Sequence, residues 1–367
     1  MKRHGPDTGL IIIVFSLLIA GLIFLWSASV VISQEKQGNN YYYFLHQLLY
    51  GGLIGTIAFI ITQKIQYKFW KKFALVIFFI SLILSVLVFI PGLGYKHAGA
   101  QRWITVGPFS FQPSEFLKLA FVIYLAAFFS RPACQQGKKQ TTFNSLIPFL
   151  IIMALISGLM ALQSDAGTLV LIAIIGFIIY FLSGAKFYQL AIVALCYVSA
   201  FFALVKFFPY RMARFITFFN PSIDPQGISY QINQALLGIG SGGLFGVGLG
   251  HSQQKYNYLP ESMGDSIFAI IAEEVGFIGG LVLIFLFFLL ALKCLKIIKR
   301  APDEFAKLLT LGIACWLTIQ AFINIAAITG LIPLTGIPLP FVSYGGSALV
   351  AVLAASGILV NISKYTS

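Results

Sequence analysis

"SIFAIIAEEVGFIGGLVLIFLFFLLAL", Ser266–Leu292, is an almost unbroken apolar run whose only charged side chains are Glu273 and Glu274. A helix crosses the hydrocarbon core of a bilayer with about 20 mostly apolar residues, and this run has more than enough. Two adjacent carboxylates facing lipid would be prohibitive, so at least one of them must turn toward protein. Outward from this stretch, similar runs recur at 9–32, 43–63, 73–92, 113–130, 146–163, 167–184, 187–208, 305–329 and 343–363. The pattern predicts an all-α polytopic membrane protein with about ten transmembrane helices, forming a single integral membrane domain over 1–367. Composition agrees: 59% of residues are hydrophobic, 10% are charged and the mean hydropathy is +0.92, outside the range of soluble domains.

The first run follows Lys2 and Arg3 as a signal peptide would. It is too long for a signal core and lacks a small-residue exit, so it reads as a retained span. Cys134, Cys196, Cys294 and Cys315 show no CxxC spacing and read as free thiols.

The net charge of +13 would suggest nucleic acid in a soluble chain, but here it is a topology signal. Of the 24 Lys and Arg residues, 16 fall on the side that holds both termini and 8 on the other, which predicts cytoplasmic termini. Carboxylates contribute little to topology, yet Glu35, Glu115, Asp165, Asp224, Glu261 and Asp265 all fall on or near the outer side. Their clustering points to function. Two long loops, 93–112 and 209–264, also face outward and are dense in Gly, Pro and aromatic residues. Long loops in compact proteins tend to be functional or disordered, and this aromatic content argues for order.

Asp265 ends the second loop, where "NYLPESMGDSIF" enters a span. It and Ser266 are helix N-cap candidates; equally, a partly desolvated carboxylate there could serve as a general base. Glu115 and Lys118 lie three residues apart on one helix face, either as an ion pair or lining a polar cavity. Asp165, in "LQSDAGT", reads first as a turn or cap residue. The outer cations Arg102, Arg211, Arg214 and Lys255, with Trp103 beside Arg102, either meet solvent and headgroups or converge on a diphosphate, which suits forked guanidinium donors. The Gly-rich "SGGLFGVGLG" at 241–250 does not match a nucleotide loop, and His46, His97 and His251 are too dispersed to suggest a metal site.

In order along the chain, "GAQRWITVGPFSFQPSEFLKL", "QSDAGT", "GISYQINQALLGIGSGGLFGVGLG", "HSQQKYNYLPESMGDSIFAIIAEEVGFIG" and "GLIPLTGIPLPFVSYGGSAL" resemble the signature blocks of the FtsW/RodA (SEDS) family, closer to FtsW than to RodA. The resemblance implies a glycosyltransferase that polymerises lipid II into glycan strands at the outer face of the cytoplasmic membrane during cell division. It implies a class B penicillin-binding protein and other divisome proteins as partners, and no nucleic acid. Asp265 matches the family's essential aspartate, Arg102 and Trp103 its outer-loop motif, and Glu115 with Lys118 its charged pair. This chain reads "ESMGDSIFA" where many relatives carry His and Thr before the aspartate and Phe after it, so the carboxylate is retained while its neighbours differ.

On that basis Asp265 would take the proton of an acceptor 4-hydroxyl as its oxygen attacks the donor's anomeric carbon in a single inverting displacement. Arg102, Arg211, Arg214 or a divalent cation such as Mg2+ would offset the charge on the departing lipid diphosphate. Glu115, Lys118 and Lys255 would line the substrate site. Two rivals fit the same residues: a lipid II flippase, whose pathway would use intramembrane charges, and a non-catalytic scaffold recruiting division proteins. The RodA-type elongation polymerase is the alternative inside the family.

Overall fold

The computed structural model describes residues 4–97, 100–106, 109–131, 142–207 and 229–366, with isolated positions between 208 and 228. Eleven helices organise these residues: α1 (Thr8–Gln37), α2 (Tyr42–Lys64), α3 (Tyr67–Leu87), α4 (Pro113–Phe129), α5 (Thr142–Leu162), α6 (Ala166–Leu182), α7 (Phe187–Phe207), α8 (Tyr230–Ser241), α9 (Ile267–Lys299), α10 (Glu304–Ile328) and α11 (Gly346–Ser363). Each apolar run read from the sequence falls on one of them. Among the described residues seven are long and apolar enough to cross a membrane, namely α1, α2, α3, the Ser145–Leu162 part of α5, α9, α10 and α11; α6 and the first part of α7 are shorter apolar helices.

The centre of the bundle is α4, α10 and α11. Nearly every side chain of α4 from Leu117 to Phe129 is buried, the mark of a helix enclosed by other helices. By contrast α3 buries Ala74, Phe78 and Leu82 and turns Leu75, Phe79 and Ile83 outward, as expected of a helix at the lipid boundary. Within α2, residues Gln47–Leu53 form a π-helical segment.

One end of the bundle is stitched by polar contacts. Lys293 pairs with Asp7 at 3.0 Å, the Tyr67 hydroxyl donates to Asp303 at 2.8 Å, and Lys364 Nζ donates to the Gln63 carbonyl at 3.0 Å. At the opposite end lie the turn at 163–165, the 241–266 loop, the 331–345 segment and a small antiparallel sheet. That sheet corrects the all-α expectation: β1 (Gly94–His97), β2 (Ala100–Val106) and β3 (Phe109–Phe111) pair in the order β1-β2-β3. Tyr95 faces Trp103 and Ile104 faces Phe111 in register. The β-branched and aromatic residues of "RWITV" suit a pleated surface, and the run is too short for hydropathy to reveal it.

Candidate active site

Asp265 lies half-buried just before α9, whose N-cap is Ser266. Three consecutive carbonyls leading into the helix are each held by a different donor: Met263 O by Tyr344 N at 2.8 Å, Gly264 O by Ser343 Oγ at 2.7 Å, and Asp265 O by Asn324 Nδ2 at 2.7 Å. The backbone is therefore fixed from the 331–345 segment and from α10 together. The carboxylate is approached separately. Gln231 on α8 donates to Asp265 Oδ1 at 3.3 Å and to Ser266 Oγ at 2.9 Å, while the backbone of Gly336 borders Oδ2. Of the two cap candidates Ser266 holds the N-cap position, and its side chain makes no cap hydrogen bond to the helix amides. The Oδ1 atom of Asp265 faces a side-chain amide, an arrangement compatible with proton transfer.

Glu115 and Lys118 are fully buried in the first turns of α4. Lys118 Nζ donates to Glu115 Oε1 at 2.9 Å and to Gln320 Oε1 at 2.9 Å, and stands 5.2 Å from the centre of the Trp316 ring. Gln320 also accepts from Trp316 Nε1 at 2.7 Å and donates to Pro338 O at 2.8 Å. One turn further along α10, Asn324 Nδ2 donates to Ile337 O at 2.8 Å as well as to Asp265 O.

Both glutamates of the opening run turn inward, as their cost in lipid requires. Glu273 accepts the Ser252 hydroxyl and the amides of Gln253 and Gln254, the last two at 2.9 and 3.3 Å. Glu274 accepts from Ser27 on α1 at 2.6 Å and pairs with Lys255 at 3.3 Å. Lys255 is 3% exposed and donates also to the Gly250 carbonyl. It stands inside an anchor for the loop and not on a surface open to substrate, which differs from the expectation that it would line the site.

The Gly-rich segment completes this anchor. α9 is interrupted at Gly276, with φ 68° and ψ −171°. The interruption would leave carbonyls and amides unsatisfied, but Val247 N and Gly248 N donate to Glu273 O and Glu274 O, both at 3.0 Å. Phe277 N and Ile278 N donate in turn to Gly243 O and Leu244 O at 2.9 and 3.2 Å. Irregular backbone at membrane depth requires such internal satisfaction.

Arg102 on β2 grips the turn between α5 and α6. Its guanidinium donates to Gln163 O at 3.4 Å and to Ser164 O, and lies 3.8 Å from Asp165 Oδ1. Asp165 itself caps α6 by accepting from Thr168 N at 3.2 Å. Trp103, next along β2, is half-buried. Arg102 and Lys255 are thus committed to different acids, and Arg211 and Arg214 lie outside the described residues.

The structure brings Asp265 close to Gln231, Asn324, Ser343 and Gly336, none of which stood out from the sequence. Gln320 and Asn324 could have: they are amides four residues apart in the apolar "CWLTIQAFINIAAI", and polar side chains inside a span face other protein groups. No group of three or more His, Cys, Asp or Glu gathers among the described residues.

A carboxylate held on loops at one end of a bundle of apolar helices defines a multi-pass membrane protein with a built site near one of its surfaces. The FtsW/RodA/SpoVE model, described as a cell cycle protein, matches residues 8–367, and the chain belongs to that family. It is 41% identical over 366 residues to stage V sporulation protein E of Bacillus subtilis (strain 168), covering 100% of this chain and 99% of the relative. It is 39% identical over 360 residues to a probable peptidoglycan glycosyltransferase FtsW of Trichlorobacter lovleyi, covering 97% and 93%. Among solved structures, the rod shape determining protein RodA of Thermus thermophilus superposes with a TM-score of 0.71 at 26% identity, over 99% of this chain and 98% of that one. A chain from a structure of a peptidoglycan synthase complex, described as coordinating polymerization and crosslinking, shares the fold with a TM-score of 0.78 at 24% identity over 98% of both chains.

Proposed function

We propose that the protein is a peptidoglycan glycosyltransferase that polymerises lipid II into glycan strands at the outer face of the cytoplasmic membrane during cell division, with Asp265 as the general base. The observation that carries this reading is the placement of Asp265: its backbone is fixed by Asn324, while its carboxylate faces the Gln231 amide. In this reading residues 1–367 form one domain of ten spans, with the Lys- and Arg-rich end and both termini in the cytoplasm. The acceptor 4-hydroxyl gives its proton to Asp265 as its oxygen displaces the lipid diphosphate at the anomeric carbon, and the configuration there inverts. The Gln231 amide beside the base takes the place of part of the water that would otherwise solvate it.

Offsetting charge on the diphosphate is assigned to Arg211 and Arg214, and to Arg102 through the part of its guanidinium that remains exposed. Its side chain is 27% exposed. A Mg2+ ion would arrive largely as the diphosphate's own counter-ion, since such ions are held by substrate phosphates plus one or two carboxylates. Trp103, next along β2, would offer an aromatic surface to the substrate. A class B penicillin-binding protein would cross-link the product, and other divisome proteins would recruit the pair. The identity to a stage V sporulation protein E supports a second reading of the occasion, in which the same polymerisation serves sporulation.

Purified protein in detergent, with its class B penicillin-binding protein, should convert lipid II to glycan polymer, and Asp265→Ala should abolish the product. A flippase would make no polymer in detergent, and a scaffold would tolerate the substitution. Undiminished polymer from Asp265→Ala would reject the assignment.

A further inference from the structure

We propose that the Glu115–Lys118 ion pair does not bind substrate but holds Asp265 in place through Gln320 and Asn324, which makes those two amides positioning residues of the site. The inference rests on the reading of Asp265 as the base. Lys118 has no exposed side-chain surface, and its ammonium is already bonded to Glu115 and Gln320 and set against the Trp316 ring. A sugar or diphosphate could reach it only if α4 and α10 came apart.

From Lys118 the contacts lead toward Asp265 through one acceptor and three donations. The charged donor fixes Gln320 with its oxygen toward α4, so its NH2 group must point the other way, onto Pro338 O. Polarisation of the amide by the ammonium strengthens that donation. Asn324, one turn on, presents its NH2 group to Ile337 O and Asp265 O. Carbonyls only accept, so the orientation of this amide is fixed chemically, and its oxygen is left buried without a partner among the described residues. The two amides thus form a ladder of i, i+4 rungs. One rung holds Pro338; the next holds Ile337 and Asp265 together.

Buried ion pairs add little net stability but can fix one arrangement among several, and here the arrangement fixed is the height of the Asp265 backbone above α10. Gly336, bordering the carboxylate, belongs to the same clamped segment. Loosening a rung would therefore shift the base and its neighbour together.

Steady-state polymerisation of lipid II by the full chain with its penicillin-binding protein tests this, using Gln320→Leu, Asn324→Leu, the neutral pair Glu115→Gln with Lys118→Met, and that pair combined with Gln320→Leu. The expected result is a kcat lower by about 10–100-fold with KM within about twofold, as for a misplaced catalytic group. The combined variant should be no slower than its slower parent, because residues acting through one another are not additive. A raised KM with kcat retained, or effects that multiply, would overturn the proposal in favour of substrate binding.

A second measurement is independent of catalysis. In protein whose four native cysteines are replaced by serine, Asp265→Cys is titrated with a small charged thiol reagent, with and without the isosteric Asn324→Asp. A change in reaction rate of about fivefold or more is expected when the amide donors are lost; an unchanged rate overturns the ladder. If Asp265→Ala still polymerises, the catalytic reading fails while the thiol rates still judge the positioning.

Discussion

Gly246 and Gly276 lie back to back where the loop enters the break in α9: a Cβ on Gly276 would sit 2.3 Å from Gly246 N, and one on Gly246 would sit 2.6 Å from Gly276 N. Both residues have positive φ, 80° and 68°. No side chain fits at either position without separating two backbones that exchange four hydrogen bonds across the break.

Gly276→Ala and Gly246→Ala should each destabilise the protein, by about 1–2 kcal/mol for the left-handed backbone alone and by more once the loop is displaced. Thermal unfolding in detergent would show a lowered midpoint. Polymerisation should fall as well, since the displaced loop leads directly to Asp265. A wild-type midpoint for both variants would mean that the close approach does not contribute.

Lys255→Met should be among the most damaging single substitutions outside the proposed catalytic centre. Its side chain is 4% exposed and that of Glu274 is fully buried. Removing one partner of a buried pair leaves an uncompensated charge and costs about 3–5 kcal/mol. Adding Glu274→Gln should restore much of the loss, read as recovery of the unfolding midpoint. A folded Lys255→Met protein with a raised KM would instead return Lys255 to the substrate site.

Gln231→Glu should move the acid limb of the pH–kcat profile to higher pH. The new carboxylate would stand where the amide now donates to Asp265 at 3.3 Å, and a like charge at that range raises a carboxyl pKa. Because the base must be deprotonated to act, activity would then appear only at higher pH. The neutral Gln231→Met serves as the control, and a limb in the wild-type position for the Glu variant would separate Gln231 from the base.

At the opposite end of the bundle, burial raises the pKa of Asp7, but the Lys293 ammonium and the Leu10 and Gly9 amides outweigh it and hold the carboxyl below its ordinary value of 3.8. The pair's stabilisation is therefore fully present above that value and is lost as the pH falls below it through the lowered native pKa. Lys293→Met should remove part of this acid sensitivity, seen as a flatter dependence of the unfolding midpoint on pH in the acid range.

Hydropathy made the helices legible because the bilayer demands it: a span must be long and apolar, and the runs around Gly9–Ile32 and Ser266–Leu292 could hardly be anything else. Asp265 became a candidate for a similar reason, as a carboxylate placed between a Pro- and Gly-containing loop and a span. Hydropathy did not reveal where polar side chains inside the spans point. Glu273, Glu274 and Lys255 carry charge that suggests chemistry, yet two of them pair with each other and the third caps loop amides. Gln320 and Asn324 carry no charge and drew no notice, though they hold the carbonyls beneath the site. The β1–β3 sheet was missed because strand alternation over so few residues gives a weak signal. The fate of Arg102 depends on a turn 61 residues away, a distance that no local pattern spans.

The π-helical segment Gln47–Leu53 gives α2 two independent phases. At the start of the segment Gln47 holds Gly345 N at 3.0 Å, and beyond it, near the end of α2, Thr62 donates to Ala354 O at 2.9 Å. A uniform α-helix advances about 100° per residue, so deleting one residue from the segment would swing one of these contacts away from α11 while leaving the other. Insertions and deletions there should accordingly be far less tolerated than substitutions, and homologous chains should keep the length of this segment even where its residues change.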